Sequence, residues 1–390
     1  MFIRRNLPGG DMKATLAAVT LCLLATPAMA LDHVAFRHGE SQRNVSGKVL
    51  VTGDSGGVLL LARDGTLYTI EKKDLVSRTK DDAEFKPLSP EETAAAVLAE
   101  LPEGFEAHVT AHYVICHNTT KGYATWCGAL FERLHRGFIN FWSRRGLKLH
   151  EPEFPLVAVI FATREGYQEY AKKELGEAAA ATIGLYSLHT NRMTMYDLTS
   201  LGTVRRPGDR RLTSAQINAM LSRPEGERTV ATIVHEATHQ MAFNCGMHLR
   251  YADIPVWVSE GIAMYFETPD LKSRTGWSTI GAMNRQKLAV FKRNLPGRGG
   301  DALQSLIAND DRFRDTRTAG AAYGEAWAMV YFLMKGSRTS GQFVDYLKML
   351  AEKPQLAWDK PADRLEQFQD AFGKLDDVDA AFRQLAPRWR

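Results

Sequence analysis

The chain has little cysteine, with four residues in 390, and one of these, Cys22, lies in an N-terminal apolar segment. The other three, Cys116, Cys127 and Cys245, exclude a disulfide-dense scaffold, and their odd number allows one bridge at most. Cys116 with Cys127 closes the short loop that favours pairing. Three buried thiols is the other reading. Charge of one sign is equally scarce: 49 Lys and Arg face 45 Asp and Glu, a formal +4. Arg4, Arg5, Lys13 and Asp11 account for two of those charges, so the rest carries about +2, without a Lys/Arg cluster that could track phosphates. Nucleic acid is therefore excluded as the main ligand. Long hydrophobic runs are missing too. The run Ala14–Ala25 is the most apolar and is short for a bilayer span. Preceded by Lys13 and followed by Pro27 and Ala28-Met29-Ala30, it reads as an export signal, residues 1–30, cleaved after Ala30. Position 31 holds no cysteine for a lipid anchor. The expectation is an exported protein, periplasmic or secreted, without stable membrane insertion.

What remains is an ordinary globular composition, 45% hydrophobic and 24% charged, long enough for two or three structural units. Short β-patterns run through residues 47–76, broken by Gly53-Asp-Ser-Gly-Gly57 and by Asp64-Gly65, a two-residue hairpin signal. Residues 31–86 are thus expected to hold a small β-rich unit, with the polar stretch Ser77–Glu92, which carries Pro87 and Pro90, as a linker. From there to residue 390 helices and strands alternate, then helices dominate. The expected elements are helices over Glu92–Leu101, Tyr123–Arg145 and Arg164–Leu175, and strands over Ala107–Cys116, Leu156–Phe161, Thr182–Ser187 and Arg192–Tyr196. The Arg205, Arg206, Arg210 and Arg211 cluster reads as a solvated loop. The fold class is α+β.

The chemistry concentrates in Thr229–Cys245. Val230, Ile233, Val234, Ala237 and Met241 make a helical apolar stripe, and Gly246 is placed to end the helix. His235 and His239 stand i and i+4, so their imidazoles project from one face and can bind one Zn²⁺, with Glu236 beside them to activate water. Ile254–Glu267 reads as a turn and a helix. Its Glu260 follows His239 by 21 positions, enough chain to return a carboxylate to the metal. Two His and one Glu leave the fourth position open, as catalytic zinc requires. Glu267, two turns further on, is the competing ligand. His112 and His117 also flank Cys116, but strand spacing points them to different faces.

The pattern His235-Glu236-x-x-His239 with Pro255-x-Trp257-x-x-Glu260-Gly261-x-Ala263-x-Tyr265-Phe266-Glu267 resembles the gluzincin zinc metallopeptidases of the peptidase MA clan and, among them, the bacterial DUF1570 family of unknown function. The likeness extends over about residues 105 to 350. It implies a zincin-like domain, 87–390, with a small mixed sheet and a helical C-terminal half, one Zn²⁺ held by His235, His239 and Glu260, and Glu236 as general base. Relatives of the thermolysin type carry an acid four residues after the third ligand; here that position is Met264, so the support behind the ligands must be built differently. Tyr323, 63 residues after Glu260, stands where the aminopeptidase branch has a catalytic Tyr and is the candidate oxyanion donor; packing against the zinc helix is its other reading, and Tyr331 is expected in the core. Asn191–Asp197 resembles the edge strand along which gluzincin substrates lie. The reading is an exported zinc metallohydrolase acting on peptide or protein substrates. Its alternative is a non-catalytic zincin-fold binding module of the cell envelope.

Overall fold

The computed structural model describes residues 30–200, 212–273 and 277–389. All of the expected export signal except Ala30, and the Arg205–Arg211 cluster, lie outside the described residues. Among the described residues the architecture is mixed α+β, with two five-stranded sheets.

The first sheet holds β1 (Ala30–His38), β2 (Ser41–Thr52), β3 (Val58–Ala62), β4 (Leu67–Ile70) and β5 (Leu75–Glu84), in the order β4-β3-β2-β1-β5, with each neighbouring pair antiparallel. It reaches further in both directions than the sequence pattern suggested. Leu75–Glu84 is a strand, not a linker. As an edge strand it needs backbone pairing from β1 alone, so its polar side chains stay in water on both faces. One of them, Arg78, reaches back to the buried Asp32 at 2.8 Å. The Asp64-Gly65 hairpin forms as expected, with Gly65 at φ +85 and Asp64 accepting from the Thr66 amide. All five residues of β3 are buried because both faces of the sheet are covered: Leu60 packs with Val34 and Phe36, whereas Leu59 and Leu61 pack with Phe154 from the following unit.

After α1 (Pro90–Glu100), started by a Ser89–Glu92 capping box, come β6 (Glu106–Val109), β7 (Tyr113–His117), α2 (Lys121–Ser143), β8 (Leu156–Phe161), α3 (Arg164–Leu175), β9 (Gly184–Tyr186) and β10 (Arg192–Tyr196). Their sheet has the order β6-β7-β8-β10-β9, parallel in the middle and antiparallel at both edges. Two expectations are corrected. Ala107–Cys116 is a hairpin, turned where the Glu132 carboxylate accepts from the Thr110 hydroxyl and the His112 amide. The edge strand is β9, not Asn191–Asp197, because β10 is paired on both sides. Cys116, Cys127 and Cys245 are free and buried, which settles the disulfide alternative in favour of thiols.

The chain continues through α4 (Ser214–Leu221), α5 (Pro224–Asn244), α6 (Val256–Phe266), α7 (Arg285–Asn294), α8 (Ala302–Ala308), α9 (Asp311–Arg314), α10 (Ala319–Lys335), α11 (Ser337–Ala351), α12 (Pro361–Phe372) and α13 (Leu375–Leu385). Among the described residues no helix is long and apolar enough to cross a membrane.

Two sets of polar contacts position the helices that matter. Gln240 of α5 donates to the carbonyls of Val157 on β8 and of Asn191, while Asn191 and Asn244 exchange reciprocal amide hydrogen bonds at 2.8 and 2.7 Å. Asn191 sits at φ +61 at the tip of the β9–β10 hairpin, a conformation an asparagine tolerates better than most residues. The start of α6 has no side-chain cap of its own; Asp310 supplies one by accepting from the Val256 amide at 3.1 Å. Asp310 and Asp253 in turn share the buried guanidinium of Arg364. Gly261 allows close packing against α10: a Cβ there would lie 2.5 Å from Val330 Cγ2 and 2.8 Å from the Ala326 carbonyl oxygen.

Candidate metal centre

The apolar stripe of α5 is buried throughout, which turns the opposite side of that helix, with His235 and His239, toward α6. The two Nε2 atoms lie 3.0 Å apart. Glu260, wholly buried on α6, faces both: its Oε2 is 3.1 Å from His235 Nε2 and its Oε1 3.8 Å from His239 Nε2. Neither approach is a hydrogen bond, and neither Glu260 oxygen has a hydrogen-bond partner. A carboxylate left this way in a protein interior is costly unless a cation meets it. The donor atoms of the three residues all lie within 4.8 Å of one another, which fits a single metal ion.

In the metal-free chain the His235 imidazole is the counter-charge of the Glu260 carboxylate. Burial alone would raise the Glu260 carboxyl, but the facing His235 and His239 imidazoles hold it well below its usual range. Burial likewise opposes a charged His235, yet Glu260 and Glu267 together raise it to about 9. His239 moves the other way, lowered by burial against the pull of Glu260.

Glu267 is not at the metal position. Its Oε1 accepts from His235 Nδ1 at 2.7 Å, and its other oxygen accepts from Asn284 Nδ2 at 3.1 Å, with Lys287 Nζ 3.4 Å from Oε1. This supplies the support that Met264 could not: a carboxylate on Nδ1 fixes the tautomer that leaves Nε2 for a metal. Spacing alone concealed it, because the acid stands seven residues after Glu260 where α6 ends, rather than four.

Glu236 points to the sheet edge. Its Oε2 accepts from the Tyr186 amide of β9 at 2.9 Å, and a Cβ on Gly184 would come within 3.3 Å of its Cγ. A glycine there lets the edge strand lie against the Glu236 side chain. Residues 229–357 match the family described as Protein of unknown function (DUF1570). No curated protein matches the chain at a significant level. The DUF1570 segment contains α5 with its two histidines and Glu236, α6 with Glu260 and Glu267, and Tyr323 on α10.

A cavity of about 1010 Å³ is lined by Leu185, Tyr186, Ser259 and Tyr323 and, from the first sheet, Phe36 and Tyr68; it reaches the chain neighbour of Glu260 and the residue whose amide binds Glu236, but not His235, Glu236, His239 or Glu260 themselves. Tyr323 thus joins the wall of the cleft, its ring edge-on to Phe313, and its phenol is raised by burial and then by the charges of Glu260 and Glu236. Tyr331 stacks among Trp327 and Trp389 in the core. His117 donates to the Thr119 carbonyl at the end of β7, apart from His112, so those two form no pair. His112 instead meets His135 and Glu151, neighbours that sequence spacing could not indicate.

Proposed function

We propose that the chain is an exported metallohydrolase of the gluzincin type, with a zincin-like fold, that cleaves peptide bonds. The observation that carries this reading is the buried Glu260 carboxylate, without a hydrogen bond and facing the Nε2 atoms of both histidines. His235, His239 and Glu260 would hold one zinc, a donor set with no thiolate and with room for a substrate oxygen. Zinc so held supplies Lewis acidity, which polarises a carbonyl and acidifies water.

The protein's own groups do the rest. Glu236, anchored through one oxygen to the Tyr186 amide, takes the proton of the attacking water and returns it to the leaving amine. Its attachment to β9 places the base beside a strand edge, where an extended peptide can pair with the backbone while its side chains enter the neighbouring cavity. Tyr323 keeps its proton at all working pH, because burial and two nearby carboxylates disfavour the phenolate, and so serves as a donor to a developing oxyanion.

The test is a peptide-library digest with the metal-loaded full chain and its Glu236→Gln variant, alongside metal analysis of both. Equal metal with hydrolysis lost in the variant supports the reading. Equal digestion by both removes Glu236 as the base, and intact metal without any hydrolysis in the parent chain favours the binding module.

A further inference from the structure

A second set of metal-ligating side chains lies away from the cleft, and none of its members belongs to the chemistry above. His112 comes from the β6–β7 turn, His135 from the middle of α2, Glu151 from the segment before β8, and Cys245 from the residue that ends α5. Glu151 Oε2 is 3.1 Å from His112 Nε2 and 3.5 Å from His135 Nε2, and Cys245 Sγ is 4.0 Å from His135 Nε2. Neighbouring donors around a tetrahedral zinc stand roughly 3.3–3.6 Å apart. The His112, His135 and Glu151 donor atoms lie within 4.8 Å of one another, so small side-chain rotations bring them to that spacing.

The surroundings are those of a built site. The Glu132 carboxylate accepts from the Thr110 hydroxyl, the His112 amide and His112 Nδ1, the last at 2.7 Å. Nδ1 is thereby fixed as the donor and Nε2 is aimed at Glu151, the carboxylate–histidine arrangement that prepares an imidazole for a metal. The His112 and His135 rings lie side by side, centroids 4.1 Å apart, with both Nε2 atoms toward the same carboxylate. The segment carrying Glu151 is pinned to the end of α5, since the His150 amide donates to the Cys245 carbonyl. Gly246, at φ +87, makes room for this: a Cβ there would sit 2.7 Å from the His150 ring. His135 and Cys245 are buried, whereas the Glu151 side chain is 68% exposed and leaves an approach from solvent.

We infer that His112, His135 and Glu151 form a second, structural transition-metal site of the zinc class, and that Cys245, whose Sγ is 4.0 Å from His135 Nε2 but lies outside the 4.8 Å set of the other three donors, closes it by turning its thiol toward them. Two imidazoles and a thiolate select zinc over calcium or magnesium, and four protein donors close the coordination sphere, the mark of a structural rather than a catalytic centre. On binding, the Cys245 thiol releases its proton to solvent. The ion ties the end of the helix that bears His235 and His239 to α2 and to the β6–β7 turn.

The probe is Co²⁺ added to the metal-free full chain. The His235, His239 and Glu260 set has no sulfur, so a thiolate-to-cobalt charge-transfer band in the near ultraviolet reports the second site alone. The expected result is such a band at one equivalent of the bound metal, kept in His239→Ala and lost in Cys245→Ser. Absence of the band from the parent chain, where folding is not in question, overturns the inference. So does a band that survives Cys245→Ser, since it would come from Cys116 or Cys127.

Discussion

Glu267 Oε1 accepts from His235 Nδ1 at 2.7 Å, linking the end of α6 to the middle of α5 on the side of the imidazole away from Glu260. The two glutamates therefore stand on opposite sides of the His235 imidazole, Glu260 at Nε2 and Glu267 at Nδ1. Glu260→Ala is expected to remove the metal. Glu267→Gln, which keeps the volume and loses the charge, is expected to weaken metal binding ~10–100-fold while the metal still saturates at the same stoichiometry. Competition with a chromophoric chelator measures both. Equal loss in the two variants would show that Glu267 is itself a ligand.

The two carboxylates on His235 also set a pH dependence. With the His235 pKa at about 9 in the metal-free chain, its imidazole is protonated at pH 7 and must lose that proton to bind a metal. Affinity should rise with pH and level off near 9. Calorimetry at pH 7 in buffers of different ionisation enthalpy should show about one proton released per metal at this site, and His239→Ala should abolish it. In the metal-free chain the raised pKa stabilises the fold below the unfolded value of 6.5, and this contribution is lost as pH rises through about 9. A denaturation midpoint that climbs across that interval would contradict the assignment.

Arg364 should be among the costliest positions to alter. It is 4% exposed and shared by Asp253 and Asp310, and Asp310 also caps α6 through the Val256 amide. Arg364→Met takes the guanidinium from both buried carboxylates, leaving Asp253 with Lys353 Nζ at 3.9 Å and Asp310 without its ion-pair partner. The expected loss is ~3–5 kcal/mol in urea unfolding, and metal affinity falls with it because α6 carries Glu260. A loss below 1 kcal/mol would show that the network relaxes into water.

Gly261→Ala tests the contact between α6 and α10. The added methyl meets Val330 and the Ala326 carbonyl, so the helices must separate. Destabilisation of ~1–3 kcal/mol is expected. Since Tyr323 and Glu260 sit on opposite sides of this contact, turnover should fall more than metal content. Unchanged stability would mean that the helices part without strain.

Much of this was legible in the residue order, because it depends on local periodicity. The stripe Val230–Met241 dictates a helix and its buried side, and i, i+4 spacing then puts His235 and His239 together whatever packs around them. The bounds of α3 and β10 follow in the same way from residues that are near in the chain. Edge strands resist this kind of reading. Leu75–Glu84 has no apolar alternation because its stability comes from backbone pairing with β1, whose partner residues are 39 (Phe36 to Leu75) to 54 (Ala30 to Glu84) positions away. The same holds for the edge of the second sheet, where β10 carries the stronger apolar pattern because it is interior and β9 is the strand left open. The glutamates show the limit most clearly. Order along the chain could name Glu260 and Glu267 as two acids on one helix. Which of them faces Nε2, and which holds Nδ1, was decided by how α6 crosses α5 after Asp310 and Arg364 fix its start, since a carboxylate's role depends on the few ångströms that only packing sets.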